Sequence, residues 1–180
     1  MQERGRKNQI GVMGNTAEAQ YPKELLELAE EVGRQIAKVG CTLVYGAEKD
    51  CDSLPMAAGR AARSVGGLTV GVTYGKGLQV FDGSGIIITC GAERGGPRES
   101  VLVLSCDAII CIAGGSGVLT EMLVAYQANI PIIALVGFGG WSERMAGEYF
   151  DGRRRQLVQT AETPAHAVLL AMNSVQLRSA

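Results

Sequence analysis

Short runs of uninterrupted apolar residues alternate with longer amphipathic segments along most of the chain, and this alternation constrains the fold more than any other feature. The runs at residues 108–112 and 131–136 are apolar throughout, which is typical of strands covered on both faces. The segment at residues 22–39 instead places its apolar residues at helical spacing. Strands and helices that alternate in this way form right-handed crossovers. We therefore predict a three-layer α/β fold, a doubly wound parallel sheet with helices on both faces.

We expect one domain spanning residues 1–180, because 180 residues is an ordinary domain length. The glycine-rich stretch at residues 75–85 shows neither the pattern of a strand nor that of a helix. The pattern elsewhere predicts strands at residues 9–13, 42–45, 68–72, 86–89, 108–112, 131–136 and 157–159, and helices at 22–39, 54–65, 97–105, 117–128, 141–149 and from 163 onward.

Charge and cysteine content argue against several classes of partner. The formal net charge is −1, so the chain has no overall attraction to nucleic acid or to an anionic membrane. Residues 1–8 are mostly polar, and no apolar run approaches the roughly 20 residues of a membrane span.

The five cysteines and the single histidine show no metal-ligand spacing, so we predict no metal site. An odd number of unclustered thiols indicates a reducing compartment, and we expect a cytoplasmic protein.

The sharpest local feature is a glycine-rich turn between a buried strand and a helix. After the apolar run at residues 108–112 the sequence continues through Gly114, Gly115, Ser116, Gly117 and Val118 into an apolar helix. Glycines let the main chain approach a ligand closely, and the first amides of a helix have no partner within it. With the helix dipole they form an anion site. We predict that these five residues bind a phosphate group; a tight turn without a ligand is the alternative.

Two charged side chains stand out near this turn. Glu121 lies one helical turn beyond Gly117 on an otherwise uncharged helix, where an unpaired carboxylate is costly to bury. Arg98 follows Pro97 in the first turn of a predicted helix, where a cation opposes the dipole. Because local rules are broken most often at functional sites, we predict that both face the ligand, with a bound anion or Glu121 as the counter-charge of Arg98. The alternative for Glu121 is a first-turn glutamate that the helix dipole favours. The alternative for Arg98 is an exposed arginine in a salt bridge.

The ends of the first two predicted strands supply further candidates. In a doubly wound sheet, ligands bind beyond the carboxyl ends of the strands. Gly14 and Asn15 follow the first strand, and Gly46 follows the second. We expect these residues to border the site; an ordinary turn is the alternative for residues 14–16.

The residues that carry this chemistry resemble the Lonely Guy (LOG) superfamily. Its signature is an Arg, an Asp-Ala pair nine residues later, and then Gly-Gly-x-Gly-Thr-x-x-Glu. The matching positions here are Arg98, Asp107, Ala108 and the run from Gly114 to Glu121. The chain looks closest to the branch that includes molybdenum cofactor carrier-like proteins. The sequence Gly139-Gly140-Trp141 after the sixth predicted strand also resembles the sequence of that branch.

The resemblance implies a Rossmann-like fold, a homodimer or dimer of dimers, and a phosphorylated small molecule as ligand. In LOG enzymes the motif Arg and Glu release the base from a nucleoside 5′-monophosphate, and the corresponding residues here are Arg98 and Glu121. Three features depart from the enzyme pattern: Val118 replaces a Thr, Glu99 replaces a Lys, and residues 46–52 form a longer, acidic loop in place of a glycine-rich one.

Three functional hypotheses follow. The first is a protein that binds a nucleotide, a phosphorylated pterin or phosphate, with no required cofactor and without turnover. The second is a phosphoribohydrolase that uses Arg98 and Glu121 as catalytic residues. The third is an interaction module with a vestigial site. A lysine decarboxylase is not expected, because every lysine precedes Gly77 and none accompanies the glycine-rich turn.

Overall fold

The computed structural model describes residues 5–83, 85–93 and 97–179, and its core is a sheet of seven parallel strands. The strands lie in the order β4-β3-β2-β1-β5-β6-β7. All six neighbouring pairs are parallel, which confirms the predicted doubly wound, Rossmann-like sheet. The strand bounds are Gln9–Gly14 (β1), Thr42–Gly46 (β2), Thr69–Thr73 (β3), Ile86–Thr89 (β4), Ala108–Ile112 (β5), Ile132–Leu135 (β6) and Gln159–Ala161 (β7).

Helices cover both faces of the sheet, so the molecule has the three predicted layers. One apolar cluster joins the sheet to α1, α2 and α6, and a second joins the opposite face to α3, α4 and α5. No helix in the described ranges is long and apolar enough to cross a bilayer. The helix bounds are Lys23–Lys38 (α1), Leu54–Ser64 (α2), Arg98–Leu104 (α3), Ser116–Gln127 (α4), Gly140–Met145 (α5) and Pro164–Ser179 (α6).

The direction of winding changes between β1 and β5. The chain leaves β1 through α1 toward β2 on one side, and it leaves β5 through α4 toward β6 on the other. The two connections diverge above the carboxyl ends of these neighbouring strands, and such a switch point opens a crevice. The glycine-rich turn that follows β5 lies at this crevice.

The edge strand β4 differs from the prediction that the strands are covered on both faces. Ile86 and Ile88 are 51% and 46% exposed. No helix is found among the described residues that connect β3 to β4. Two other boundaries also moved: β7 begins at Gln159, two residues later than predicted, and α5 ends at Met145, before Gly147 adopts a left-handed φ of +77°.

Helices α1 and α2 approach each other at Gly33. A Cβ at this position would lie 2.7 Å from the carbonyl carbon of Ala58 and closer still to its oxygen. Both are main-chain atoms of a buried helix, so they cannot give way as a flexible side chain would. The close contact of these helices therefore requires glycine at residue 33.

We expect Gly33→Ala to destabilise the protein by about 1–2 kcal/mol. Overpacking a core costs about 1–3 kcal/mol, which exceeds the gain of up to about 1 kcal/mol from replacing a helical glycine by alanine. Urea unfolding followed by circular dichroism measures the difference. Gly152→Ala is the matched control, because a Cβ there meets nothing within 4 Å. Equal stability of Gly33→Ala and the wild type would contradict this account of the packing.

Candidate functional site

A cavity of about 350 Å³ lies at the switch point of the sheet. Its walls come from the ends of β1 and β2, the start of α2, and the first turns of α3 and α4. Cavities of this size accommodate small molecules. The lining residues are Gly14, Thr16, Gly46, Glu48, Ser53, Pro55, Arg98, Glu99, Ser116, Gly117, Val118, Thr120 and Glu121.

The first turn of α4 presents main-chain amides at this cavity. Gly115 is the N-cap residue, and no side chain caps the helix. Among the described residues, no carbonyl or side chain accepts a hydrogen bond from the amides of Ser116, Gly117 or Val118. These donors lie at the positive end of a 12-residue helix whose first turn carries no acidic residue. The arrangement is suited to bind an anion.

The glycines of this turn serve two different purposes. Gly114 has a φ of +97°, and a Cβ there would overlap the side chain of Val118, so the fold itself requires glycine. Gly115 and Gly117 have no such requirement, because a Cβ at either position meets nothing within 4 Å. The positions that their side chains would occupy are open. That space is available to a ligand.

Helix α5 fixes the turn from behind. The amides of Trp141 and Ser142 donate hydrogen bonds to the carbonyls of Gly114 and Ala113, at 2.9 and 3.0 Å. Gly140, with a φ of +73°, packs so closely on the turn that a Cβ would lie 2.7 Å from the nitrogen of Gly114. The residues Gly139-Gly140-Trp141, which carried part of the resemblance, therefore hold the glycine-rich turn in place.

Arg98 is buried at the start of α3, with 5% of its surface exposed, and its guanidinium lines the cavity. Its Nη2 donates a hydrogen bond to Oε1 of Glu48, whereas Nη1 lies 3.9 Å from Oε1 of Glu121. Nε is buried without a hydrogen-bond partner among the described residues. The prediction that Arg98 is directed into the site therefore agrees with its position. Its direct counter-charge is Glu48, which the sequence did not predict.

The acidic loop after β2 was the signal that pointed toward Glu48. The sequence showed that residues 46–52 differ from a glycine-rich loop, but not that one carboxylate turns inward. Gly46 allows the guanidinium of Arg98 to lie beside this loop, because a Cβ at residue 46 would lie 3.2 Å from Cζ of Arg98 and closer to Nη1. Glycine at the end of β2 thus leaves room for the guanidinium.

Glu121 lies at the bottom of the cavity, on α4, and is 7% exposed. Burial raises the pKa of its carboxyl to about 8; the charge of Arg98 opposes this rise, and Glu99 and Glu48 add to it. Desolvation and like charges both favour the neutral acid. Its surroundings therefore favour the protonated form of the group that the sequence singled out as a costly buried carboxylate.

The other predicted residues divide into two groups. Gly14, Gly46, Ser116, Gly117 and Val118 line the cavity together with Arg98 and Glu121, whereas Asn15, Gly114 and Gly115 are not among its lining residues. The side chain of Val118 packs in the apolar core, so only its main chain is available to a ligand. Sequence analysis did not single out Glu48, Ser53, Pro55 or Thr120 as members of the site. Within the described ranges, no group of three or more His, Cys, Asp or Glu side chains is arranged to hold a metal ion.

Known proteins are similar to this chain in sequence and in fold. A family model described as the SLOG cluster4 family matches residues 7–168. The chain is 38% identical over 145 residues to the cytokinin riboside 5′-monophosphate phosphoribohydrolase of Mycobacterium tuberculosis, which covers 74% of this chain and 70% of the relative.

Two solved structures of molybdenum cofactor proteins are similar over nearly the whole chain. The molybdenum cofactor carrier protein of Chlamydomonas reinhardtii has a TM-score of 0.79 and 28% identity, covering 95% of this chain and 99% of that chain. The molybdenum cofactor binding protein of Rippkaea orientalis has a TM-score of 0.77 and 29% identity, covering 93% and 97%.

The raised pKa of Glu121 predicts a pH-dependent loss of stability. The unfolded chain releases this proton near the ordinary value of 4.5, but the folded chain holds it up to about 8. Stability is therefore lost as the pH rises from about 4.5 to about 8. Glu121→Gln removes the cost of ionising this buried carboxyl. The thermal midpoint of the variant, measured relative to that of the wild type, should therefore rise as the pH increases across this range. A gain of about 1 kcal/mol corresponds to roughly 2–4 °C.

Thermal unfolding from pH 4 to pH 9 measures this difference. Glu162→Gln is the control, because residue 162 is exposed and its carboxylate is already in water. If the thermal midpoints of Glu121→Gln and the wild type differ by the same amount at all pH values, Glu121 does not titrate as described.

Proposed function

The chain belongs to the SLOG cluster4 family, on the molybdenum cofactor carrier-like branch of the LOG superfamily, and on that premise we propose that it binds a phosphate-bearing, nucleotide-like ligand. The phosphate is bound by the amides of Ser116, Gly117 and Val118. The observation that carries the proposal is the combination of these amides, which lack a partner among the described residues, with the open space at Gly115 and Gly117.

The part of the cavity away from the glycine-rich turn is suited to the sugar and ring portions of such a ligand. Its volume of about 350 Å³ is at the lower end of the range for small-molecule sites, which matches a nucleoside monophosphate or a phosphorylated pterin. Beyond the phosphate-binding turn the walls carry acidic groups and hydroxyls, namely Glu48, Glu121, Ser53 and Thr120. These groups are suited to hydrogen-bond hydroxyl and ring substituents.

A second candidate function is cleavage of the N-glycosidic bond of a nucleoside 5′-monophosphate. It is favoured by the position of Arg98 and Glu121 in one cavity with the phosphate-binding turn, and by the similarity to the mycobacterial phosphoribohydrolase. Glycosidic cleavage passes through an oxocarbenium-like state and needs a proton for the leaving group. A glutamic acid with a pKa near 8 is suited to supply a proton.

Phosphate-dependent binding is tested by thermal shift and calorimetry with AMP, inorganic phosphate and adenosine. We expect AMP and phosphate to stabilise the protein and adenosine, which lacks the phosphate, to have little effect. Gly117→Ala should weaken AMP binding by about tenfold or more, equivalent to about 1.4 kcal/mol, because the new methyl group takes up open space at a residue that lines the cavity. Folding should be unaffected, since that methyl group meets no protein atom.

Gly152→Ala is again the control, with the same chemical change in open space outside the cavity. Native mass spectrometry of the purified protein adds a search for a co-purifying phosphorylated ligand. A protein that carries no such ligand and is stabilised by neither AMP nor phosphate would overturn the proposal.

Incubation with AMP and chromatography for free adenine tests the second candidate. If the chain is a hydrolase, Glu121→Ala should reduce the rate by roughly 10²–10⁴, the usual contribution of a positioned acid or base. Binding of AMP by the wild type without release of adenine would assign the site to binding alone. Release of adenine at an equal rate by Glu121→Ala would remove Glu121 from the mechanism.

A further inference from the structure

A side chain of α5 holds together the segment that precedes this helix. Residues 136–139 connect β6 to α5. Gly137, Gly139 and Gly140, the first residue of α5, have φ values of +107°, +71° and +73°. Glycine leaves the main chain more freedom than any other residue, so a contact that fixes such a segment removes much conformational freedom. The carboxylate of Glu143 makes this contact.

The Glu143 carboxylate accepts two main-chain hydrogen bonds. Its Oε2 atom accepts from the amide of Gly139 at 2.6 Å and from the amide of Gly137 at 3.0 Å. These amides, with a smaller effect of the amide of Phe138, lower the pKa of Glu143 below its ordinary value. The acceptor is therefore charged at neutral pH, and hydrogen bonds to a charged acceptor are shorter and stronger than those between neutral groups.

The segment that Glu143 binds packs directly on the glycine-rich turn. A Cβ at Gly140 would lie 2.7 Å from the nitrogen of Gly114 and 2.8 Å from its oxygen. The amide of Trp141 donates to that same oxygen. The carbonyl of Gly114 shares a peptide unit with the amide of Gly115, the N-cap residue of α4. The position of α5 therefore governs the orientation of the main chain that leads into α4.

The opposite end of the segment is anchored to the sheet. Ser142 is fully buried, and its Oγ donates to the carbonyl of Leu135, the last residue of β6, at 2.9 Å. Residues 136–141 thus form a loop that Ser142 closes at its base and Glu143 closes above it. The loop has one side on β6 and the other on the glycine-rich turn.

We propose that Glu143 is a positioning residue, which fixes residues 137–140 against the glycine-rich turn and thereby preorganises the amides of Ser116, Gly117 and Val118 for a phosphate group. Glu143 is not among the residues that line the cavity, so it acts through α5. Donors that are already oriented lose less entropy when a ligand binds. The consequence for a ligand rests on the proposed function, whereas the contact itself exists in the ligand-free protein.

The charge of Glu143 and its hydrogen bonds predict opposite effects of its removal. A carboxylate repels a bound phosphate, so a role limited to charge would make binding tighter when the carboxylate is removed. Loss of the two hydrogen bonds instead releases the segment that supports the turn, and binding becomes weaker. The sign of the change in affinity therefore separates positioning from electrostatics.

Calorimetry with AMP and with inorganic phosphate measures this sign. In Glu143→Ala we expect the Kd of both to rise by about threefold or more, because the turn must be ordered when the ligand binds. Glu143→Gln keeps an oxygen that accepts from the same amides but loses the charge, so its Kd should rise less. Glu148→Ala is the matched control, because it removes an exposed carboxylate nearby in the chain and leaves both hydrogen bonds intact.

Amide NMR of the ligand-free protein tests the positioning without any ligand. In Glu143→Ala the ¹H–¹⁵N signals of residues 114–118 should shift or broaden, although they lie far from residue 143 in the sequence. The signals of α1 and β3 should stay in place. Glu143→Gln should show smaller changes of the same kind, and Glu148→Ala none at the turn. A general loss of stability would not single out the turn in this way.

The outcomes separate this role from the proposed function. Unchanged signals of residues 114–118 in Glu143→Ala, or binding of AMP and phosphate as tight as in the wild type or tighter, would overturn the proposal. If the wild type binds neither AMP nor phosphate, the proposed function fails, and the amide signals still decide whether Glu143 positions the turn. If Glu143→Ala does not fold, Glu143→Gln carries both measurements, and unchanged turn signals in that variant contradict the role.

Discussion

The divergence of the chain on either side of β1 and β5 is the constraint on which the site depends. One connection continues on the face of α1 and the other on the face of α4, so a crevice opens at the carboxyl ends of these two strands. The main-chain amides at the start of α4 remain open there, supported from behind by α5. The position of the candidate site thus follows from the direction in which the chain winds, and the glycines leave its entrance open.

Electrostatics divides this crevice into two parts. The turn at Ser116–Val118 offers positive main-chain dipoles, whereas the wall formed by α3 and the loop after β2 brings carboxyl groups together around Arg98. A ligand with an anionic end and a neutral, polar remainder satisfies both parts.

Much of the fold and part of the site could be predicted from the sequence, for identifiable reasons. Apolar runs such as residues 108–112 predicted buried strands because a parallel sheet is covered on both faces. Arg98 and Glu121 were predicted because each contradicts its local surroundings, and both proved to be buried in one cavity. Exposure of β4 was missed, because an apolar sequence does not tell whether a strand lies at the centre or at the edge of a sheet.

The sequence alone determined the alternation of strands and helices, the glycine-rich turn and the two charged residues beside it. These are local properties, set by periodicity, backbone freedom and the energetic cost of a charge in an apolar segment. Only the tertiary structure decided that Glu48, fifty residues from Arg98 along the chain, becomes its hydrogen-bonded partner. Contacts of this kind depend on which strands are neighbours and which side chains share a buried volume, and sequence spacing does not encode either.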